Sequence, residues 1–426
     1  MKRTIGIYAY SKSARDTVGG VEAQVTHLAH TLAERDFNVV IHCLAAEDVG
    51  LSFGEDGITF QSEVTQQGEH IKVFKPTHGP GFKGAIEENI RVSKENNEEL
   101  ILCIGTRDGY VFDLAIAASK ELSIPLVSFI YFTFEERWFR SHFSSRTRSI
   151  PGLASLDEKK DFYTKGEDVV SRVVEGSDLV IVPTHYVRAQ VLAISGIEKA
   201  GKVRICYHGA NEAIFGAVSQ PWSSSGDILN VARLNVPYAC DKGFLWALDF
   251  YAKRHRDIQA PKLQFCGAGN GQKVIGDYIS AHKLEGKIEV AGFLDQRQLA
   301  EKYSKASYLL IPSMMEAGCT VVVEAAMAGC LPVALDSAGL AEIMESIGLE
   351  DFLVPGKLQR LSDTLVVLVP EEDAMVALFK YCESHEKQVT EKLAAAQEIS
   401  KQKYSVTATT TKLFEMLAAH KLFYIS

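Results

Sequence analysis

The chain has 426 residues, 46% of them apolar and 23% charged, and a net charge of −9. These figures describe a soluble globular protein long enough for two or three domains and two full hydrophobic cores. The acidic balance excludes generic nucleic-acid binding, which needs a basic surface, although it leaves room for a local basic patch. Eight cysteines are scattered without a C-x-x-C pair, as the reduced, buried thiols of a cytoplasmic protein would be. No apolar run approaches the ~18 residues of a membrane span. The first apolar stretch ends at Ser11-Lys12, too soon for a signal peptide.

Thr4 to Tyr10 reads as a first buried strand and Val39 to Leu44 as a second. Between them Gly19-Gly20 leads into a helix with Val21, Val25, Leu28 and Leu32 on one face, so the chain opens as βαβ. The glycine pair is either an ordinary loop or a point of close backbone approach to a ligand. Ile58 to Phe60 and Ile71 to Phe74 read as short strands, and Glu87 to Glu99 as a polar helix. Leu100 to Ile104 and Pro125 to Ile130 read as parallel strands around a helix from Phe112 to Glu121.

Arg137 to Leu156 holds Arg137, Arg140, Arg146 and Arg148 beside Trp138, Phe139 and Phe143, with no acid. Such a segment meets an anionic acceptor or a membrane surface, or it is a solvated loop balanced by Glu135, Glu136 and Asp157. A helix over Glu167 to Gly176 and a strand over Leu179 to Val182 follow. Gly216 to Asp227 reads as a linker, after which strand and helix patterns restart.

In the second half Ile228 to Ala232 is a strand, Arg233 stands at its carboxyl end, and Lys242-Gly243 opens the next helix. Each cation alone reads as a surface charge; as a pair they suit a diphosphate. Lys262 to Cys266 is a strand ended by Gly267-Ala268-Gly269, with Gln272 where a dinucleotide fingerprint needs glycine. Ile288 to Ala291 precedes Gly292-Phe293-Leu294, and a helix over Leu299 to Ala306 comes next. Tyr308 to Ile311 is a buried strand stopped by Pro312. Thr320 is the expected N-cap of a helix over Val321 to Ala328, Gly329 its C′ residue, and Leu331 to Leu335 the next strand. Beyond Glu342 the chain reads as helical, ending in a helix over Tyr404 to Leu422.

Glu316 and Glu324 lie eight residues apart, one in the loop after a strand and one in an otherwise apolar helix. An acid near a helix N-terminus complements the dipole. The same helix end offers free amides to phosphate, and carboxylates suit hydroxyl donors. Phosphate beside hydroxyls describes a nucleotide sugar.

The run P-S-x-x-E, then E-A-x-x-x-G-x-P-V, resembles the E-x7-E motif of the family four retaining glycosyltransferases. That resemblance implies an α/β GT-B fold, with two Rossmann-like domains whose parallel sheets face across a cleft. It implies an acceptor-side domain over 1–216, joined by a crossing helix over 404–426, and a nucleotide-sugar-binding domain over 217–403. It places Glu316 on sugar hydroxyls, Glu324 on ribose, and Arg233 and Lys242 on the donor diphosphate. The amides of Gly318, Cys319 and Thr320 face sugar and phosphate; Gly19, Gly20, Gly267, Gly269, Phe293 and Leu294 complete the donor site. The family histidine near the reacting carbon is missing. Tyr131 stands in that stretch, and Arg137 and Arg140 join it on the acceptor side.

No D-x-D pair is present, so the implied chemistry is metal-independent and needs no cofactor. The implied partners are a UDP- or GDP-linked sugar and a saccharide or lipid-linked acceptor, with a peripheral membrane contact left open and no nucleic acid. A GT-B-type epimerase or phosphorylase shares these features, as does a non-catalytic transferase-like subunit. The presence of Glu316 and Arg233 counts against the last.

Overall fold

The computed structural model describes residues 2–9, 20–43, 59–64, 70–75, 81–105, 109–132, 160–218, 220–235, 242–254, 261–314, 316–360 and 366–423. The chain divides into two compact units. Met1–Phe134, Asp161–Gly209 and Val406–Ser426 form the first, and Ala210–Ser405 the body of the second.

The first unit runs β1 (Thr4–Ala9), α1 (Gly20–Glu34), β2 (Asn38–Cys43), β3 (Thr59–Val64), β4 (His70–Lys75), α2 (Gly81–Asn96), β5 (Glu98–Ile104), α3 (Tyr110–Leu122), β6 (Leu126–Phe129), α4 (Lys160–Gly176), β7 (Leu179–Val182), α5 (His185–Ser195) and β8 (Val203–Ile205). Its strands form one eight-stranded sheet in the order β3-β4-β2-β1-β5-β6-β7-β8. All pairs are parallel except β3 with β4. Every residue of β1 is buried, which is why it reads as a continuous apolar run rather than an alternating one.

The polar helix expected over 87–99 lies instead at Gly81–Asn96, and β5 begins at Glu98. Glu98 can start a buried strand because both its carboxyl oxygens are hydrogen-bonded inside the core. Its Oε1 lies 2.8 Å from His42 Nε2, and Ser93 Oγ donates to its Oε2 at 2.8 Å. His42 Nδ1 meets Asn89 Oδ1 at 2.7 Å, and the imidazole stacks on Tyr8 with centroids 4.1 Å apart. The Tyr8 hydroxyl lies 2.9 Å from Ser93 Oγ.

The second unit runs α6 (Glu212–Phe215), β9 (Asp227–Val231), α7 (Phe244–Arg254), β10 (Leu263–Cys266), α8 (Gly271–His282), β11 (Ile288–Gly292), α9 (Gln296–Lys305), β12 (Ala306–Ile311), α10 (Thr320–Met327), β13 (Leu331–Leu335), α11 (Ala338–Ser346), β14 (Leu353–Val354), β15 (Gly356–Arg360), β16 (Val366–Pro370), α12 (Glu372–Ser384) and α13 (Glu386–Tyr404). Strands β9 to β14 form a six-stranded parallel sheet in the order β11-β10-β9-β12-β13-β14.

The helical reading beyond Glu342 does not hold. Leu353–Val354 adds an edge strand to β13, and β15 and β16 pair as an antiparallel hairpin. The Val366–Pro370 run is apolar and β-branched, so it favours a strand over a helix. The last helix, expected over Tyr404 to Leu422, runs instead over Val406–Ala419, separated from the preceding helix by Ser405. Ser405 is extended (ψ 152°) and bridges Ala210, whose amide donates to Tyr404 O at 2.8 Å. Helix α14 (Val406–Ala419) then rejoins the first unit. There Leu413, Phe414, Met416, Leu417 and Phe423 enter the cluster that contains Ile5, Ile7, Phe37 and Val39.

The stretch expected to be a linker is pinned down. Trp222 Nε1 donates to Ser307 O at 2.7 Å, Gly226 N donates to Ser307 Oγ at 2.7 Å, and Ser224 N and Oγ donate to Glu386. Serine and glycine composition suggested a linker, and these residues supply donors that hold the segment in the second unit.

Candidate active site

The sequence-predicted donor residues of the second unit gather at the carboxyl ends of β9 to β12, where open α/β sheets bind ligands. Arg233 follows β9 by two residues and is exposed. It has no ion-pair or hydrogen-bond partner among the described residues.

Its segment is braced by the glycines after β10. A Cβ on Gly267 would strike the Ala232 carbonyl, and one on Gly269 the Leu234 carbonyl. Leu234 N donates to Ala268 O at 2.9 Å, and Gly271 N returns to Leu234 O at 2.6 Å. Gly267 and Gly269 therefore approach the backbone beside Arg233. Gly267 N also donates to Gly292 O at 2.7 Å. Beyond that glycine Phe293 is 48% exposed, a large apolar side chain left in solvent, and Leu294 is half-buried.

Lys242 Nζ donates to Glu316 Oε1 at 2.7 Å, with both side chains mostly covered (23% and 15% exposed). Two close approaches put them together. Gly243 has φ +66°, and any Cβ there would collide with the Pro312 carbonyl, which locks the root of α7 onto the loop after β12. From the other side Gly339 N donates to Glu316 O at 3.2 Å, and a Gly339 Cβ would lie 2.7 Å from Ala317 O. Ser337 Oγ donates to Ser313 O at 2.9 Å. The sequence reading missed Ser337, Gly339 and the role of Gly243. Its available signal was S-A-G directly after β13 and a glycine next to Lys242.

Gly318 lies in the bend leading to α10. The N-cap is Cys319, not Thr320 as expected. Cys319 is extended (φ −100°, ψ 90°), accepts from Val322 N at 3.2 Å, and gives no side-chain cap bond. No side chain caps the first turn, which leaves its remaining amides available to an anion. Burial pushes the Cys319 thiol well above its usual range, so it is not a nucleophile. At the far end, Gly329 N reaches Ala326 O at 3.1 Å and Cys330 N reaches Ala325 O at 2.9 Å, with Gly329 at φ +82°. That is a Schellman closure at the glycine expected there.

Glu324 sits one turn into α10, half-buried, with apolar Val322, Val323, Ala325 and Ala326 around it in sequence. No donor or cation among the described residues bonds its carboxylate. Desolvation pushes the carboxyl up to about 7. Burial, and then the charge of Glu324, push the Tyr303 hydroxyl well above its usual range, and that hydroxyl is buried without a partner.

In the first unit Gly20 opens α1, while Gly19 lies outside the described residues. Tyr131 packs 5.7 Å from Phe129 and edge-on to His208 at 4.1 Å, and burial pushes its hydroxyl well up. Arg137 and Arg140, with the rest of the basic aromatic segment, lie outside the described residues. Among the described residues no helix is long and apolar enough to cross a membrane.

Two family models match the chain in succession: glycosyltransferase family 4 over residues 18–213 and glycosyl transferases group 1 over residues 227–365. No curated protein sequence matches it significantly. Among solved structures, sucrose-phosphate synthase from Thermosynechococcus elongatus superposes with a TM-score of 0.70 at 16% identity, covering 98% of this chain and 100% of that one. Anabaena HepE in complex with UDP gives 0.66 at 16% identity over 98% and 100%. The catalytic domain of starch synthase IV from Arabidopsis thaliana, bound to ADP and acarbose, gives 0.65 at 13% identity over 98% and 99%. With its two Rossmann-like units and both family matches in order, the chain belongs to the glycosyltransferases of the group 1 and family 4 type and has the GT-B fold.

Proposed function

We propose that the chain is a retaining, metal-independent hexosyltransferase that moves a sugar from a UDP- or GDP-linked donor to a saccharide or lipid-linked acceptor. The observation that carries this reading is one grouping at the carboxyl ends of a single parallel sheet. It brings together an exposed arginine with no partner among the described residues, a helix N-terminus without a side-chain cap, and two carboxylates eight residues apart. Arg233, Lys242 and the first-turn amides of α10 take the diphosphate, and stabilise the negative charge that grows on it as the glycosidic bond breaks. Glu316 accepts hydrogen bonds from the sugar and Glu324 from the ribose. The acceptor hydroxyl attacks from the face that the diphosphate leaves, and its proton passes to the departing phosphate oxygen, so the anomeric configuration is kept. No carboxylate pair acts as nucleophile and acid. HepE with UDP and glucose, and starch synthase IV with ADP and acarbose, support a nucleotide-plus-saccharide reading of such a site.

The test combines binding with product analysis. A thermal-shift screen should find that one of UDP, GDP or ADP raises the melting temperature, because tight binding to the native state does so. Transfer from an α-linked donor should give an α-linked product by NMR, and EDTA should leave the rate substantially intact. A β-linked product overturns retention. Loss in EDTA restored by Mg²⁺ or Mn²⁺ overturns metal independence. Turnover of the nucleotide sugar without any acceptor points to an epimerase instead.

A further inference from the structure

We infer, resting on the ribose assignment proposed for Glu324, that Tyr303 is a positioning residue for that glutamate. In the nucleotide-bound protein its hydroxyl donates to the Glu324 carboxylate and leaves the other oxygen to the ribose. Tyr303 lies in α9 and Glu324 in α10, the helices that lead into and out of β12 and pack on one another. Tyr303 is fully buried, and its hydroxyl has no hydrogen-bond partner among the described residues. Glu324 keeps part of its surface open, and no described residue bonds its carboxylate. An unmatched donor and an unmatched acceptor thus stand on neighbouring helices.

A hydroxyl buried without a partner is costly, and phenylalanine would fill the same space without it. The ring is held in place: Tyr303 and Ala300 are the buried residues of α9, and the Tyr303 centroid lies 6.1 Å from that of Phe215 in α6. The charged and titratable groups that act on the hydroxyl are Glu324 first, then the thiols of Cys330, Cys266 and Cys319. Burial pushes all three thiols up, so they stay neutral and accept only weakly. Glu324 is the strong acceptor of the set. Two other donors on the adjoining helices are already taken. Lys302 of α9 donates to Gln264 Oε1 at 2.6 Å, and Gln397 of α13 donates to Met327 O at 2.6 Å, at the far end of α10. The tyrosine and the glutamate are not bonded to each other in the structure, where desolvation pushes the carboxyl up to about 7. Ionisation of the carboxylate as it meets the ribose strengthens its pull on a neutral hydroxyl. One oxygen is then held from inside the fold and the other accepts from the ribose.

The experiment measures Kd by calorimetry for whichever of UDP, GDP and ADP stabilises the wild type, and for the dideoxy form of that nucleotide, which lacks both ribose hydroxyls. The proteins are wild type, Tyr303→Phe, Glu324→Gln and Tyr303→Phe/Glu324→Gln. Without nucleotide, Tyr303→Phe should melt at or above the wild-type temperature, since it removes a hydroxyl that the fold leaves unbonded. It should weaken the ribonucleotide about fivefold or more, and the dideoxy nucleotide less than about twofold. In the Glu324→Gln background it should add less than about twofold, because the carboxylate it acts through is gone. Equal loss of both nucleotides, or an undiminished loss in the Glu324→Gln background, separates the hydroxyl from Glu324 and overturns the inference. A clear fall in melting temperature, or a Tyr303→Phe protein that does not fold, assigns the hydroxyl to the core and overturns it as well. If Tyr303→Phe binds the ribonucleotide as the wild type does while Glu324→Gln is weakened, the inference is wrong and the ribose assignment stands. If Glu324→Gln binds as tightly as the wild type, or if none of the three nucleotides binds the wild type, the donor-site reading falls and takes the inference with it.

Discussion

Glu98 in the first unit and Glu324 in the second are both desolvated carboxylates, Glu98 fully buried and Glu324 half-buried. Glu98 has a side chain with no exposed surface, and each of its oxygens is met at 2.8 Å, by His42 and by Ser93. Glu324 has no such partners among the described residues, and desolvation alone pushes it up to about 7. A buried carboxyl whose hydrogen bonds close within the fold belongs to the fold. One left without a protein partner is where the proposed function puts the ribose, whose hydroxyls donate to a carboxylate.

The sharpest way to break the comparison is to remove each acid. Glu98→Ala should cost about 3–5 kcal/mol of stability in a denaturant melt, because it strands His42 and Ser93. A loss below about 1 kcal/mol would show that the cluster is not structural. Glu324→Gln should act in the opposite direction. The unfolded carboxyl ionises near 4.5 and the folded one near 7, so its destabilising effect grows as pH rises through that window and is complete above it. The glutamine variant should therefore be more stable at pH 8 by up to about 3 kcal/mol, with no gain at pH 4. Binding supplies the complement. If ribose bonds the ionised form, the wild-type Kd for a nucleoside diphosphate should weaken about tenfold from pH 8 to pH 6, and Glu324→Gln should lose that dependence. Equal pH dependence in both proteins contradicts the ribose assignment.

Smaller effects sharpen the same contrast. Gly243→Ala should cost about 1–3 kcal/mol, from positive φ and the collision with the Pro312 carbonyl, and should lower transfer more than nucleotide binding. Glu316→Gln should move stability by less than about 1 kcal/mol, since its pair is only partly buried. It should nonetheless cut kcat/KM roughly ten- to a hundred-fold. A large loss of stability in Glu316→Gln would place this carboxylate with Glu98 rather than with Glu324.

The comparison also explains what was legible. Leu331–Leu335 and Leu179–Val182 appear at the bounds read from sequence, because parallel strands covered on both faces are unbroken apolar runs. The start of β5 was not legible. Glu98-Glu99 reads as polar helix until His42 and Ser93, brought from β2 and α2, make a buried carboxylate tolerable. The glutamates of the site could be found by their eight-residue spacing, and Gly329 by its place after an apolar helix. The bond from Lys242 to Glu316 spans 74 positions, and no local pattern encodes it. The loop geometry that produces it rests on Gly243 and Gly339, whose meaning lies in the atoms they avoid.

One feature of the first unit bears on how the molecule is made. Its core includes Leu413, Phe414, Leu417 and Phe423 beside Ile5 and Ile7, whereas the body of the second unit lies within Ala210–Ser405. On the ribosome, the strands of the first unit must wait for the residues from Val406 to Phe423 before that side of their hydrophobic interior can close. During that interval the strands around Ile5 and Val39 lack their cover, and holding them apart from other nascent chains falls to whatever meets them at the exit tunnel.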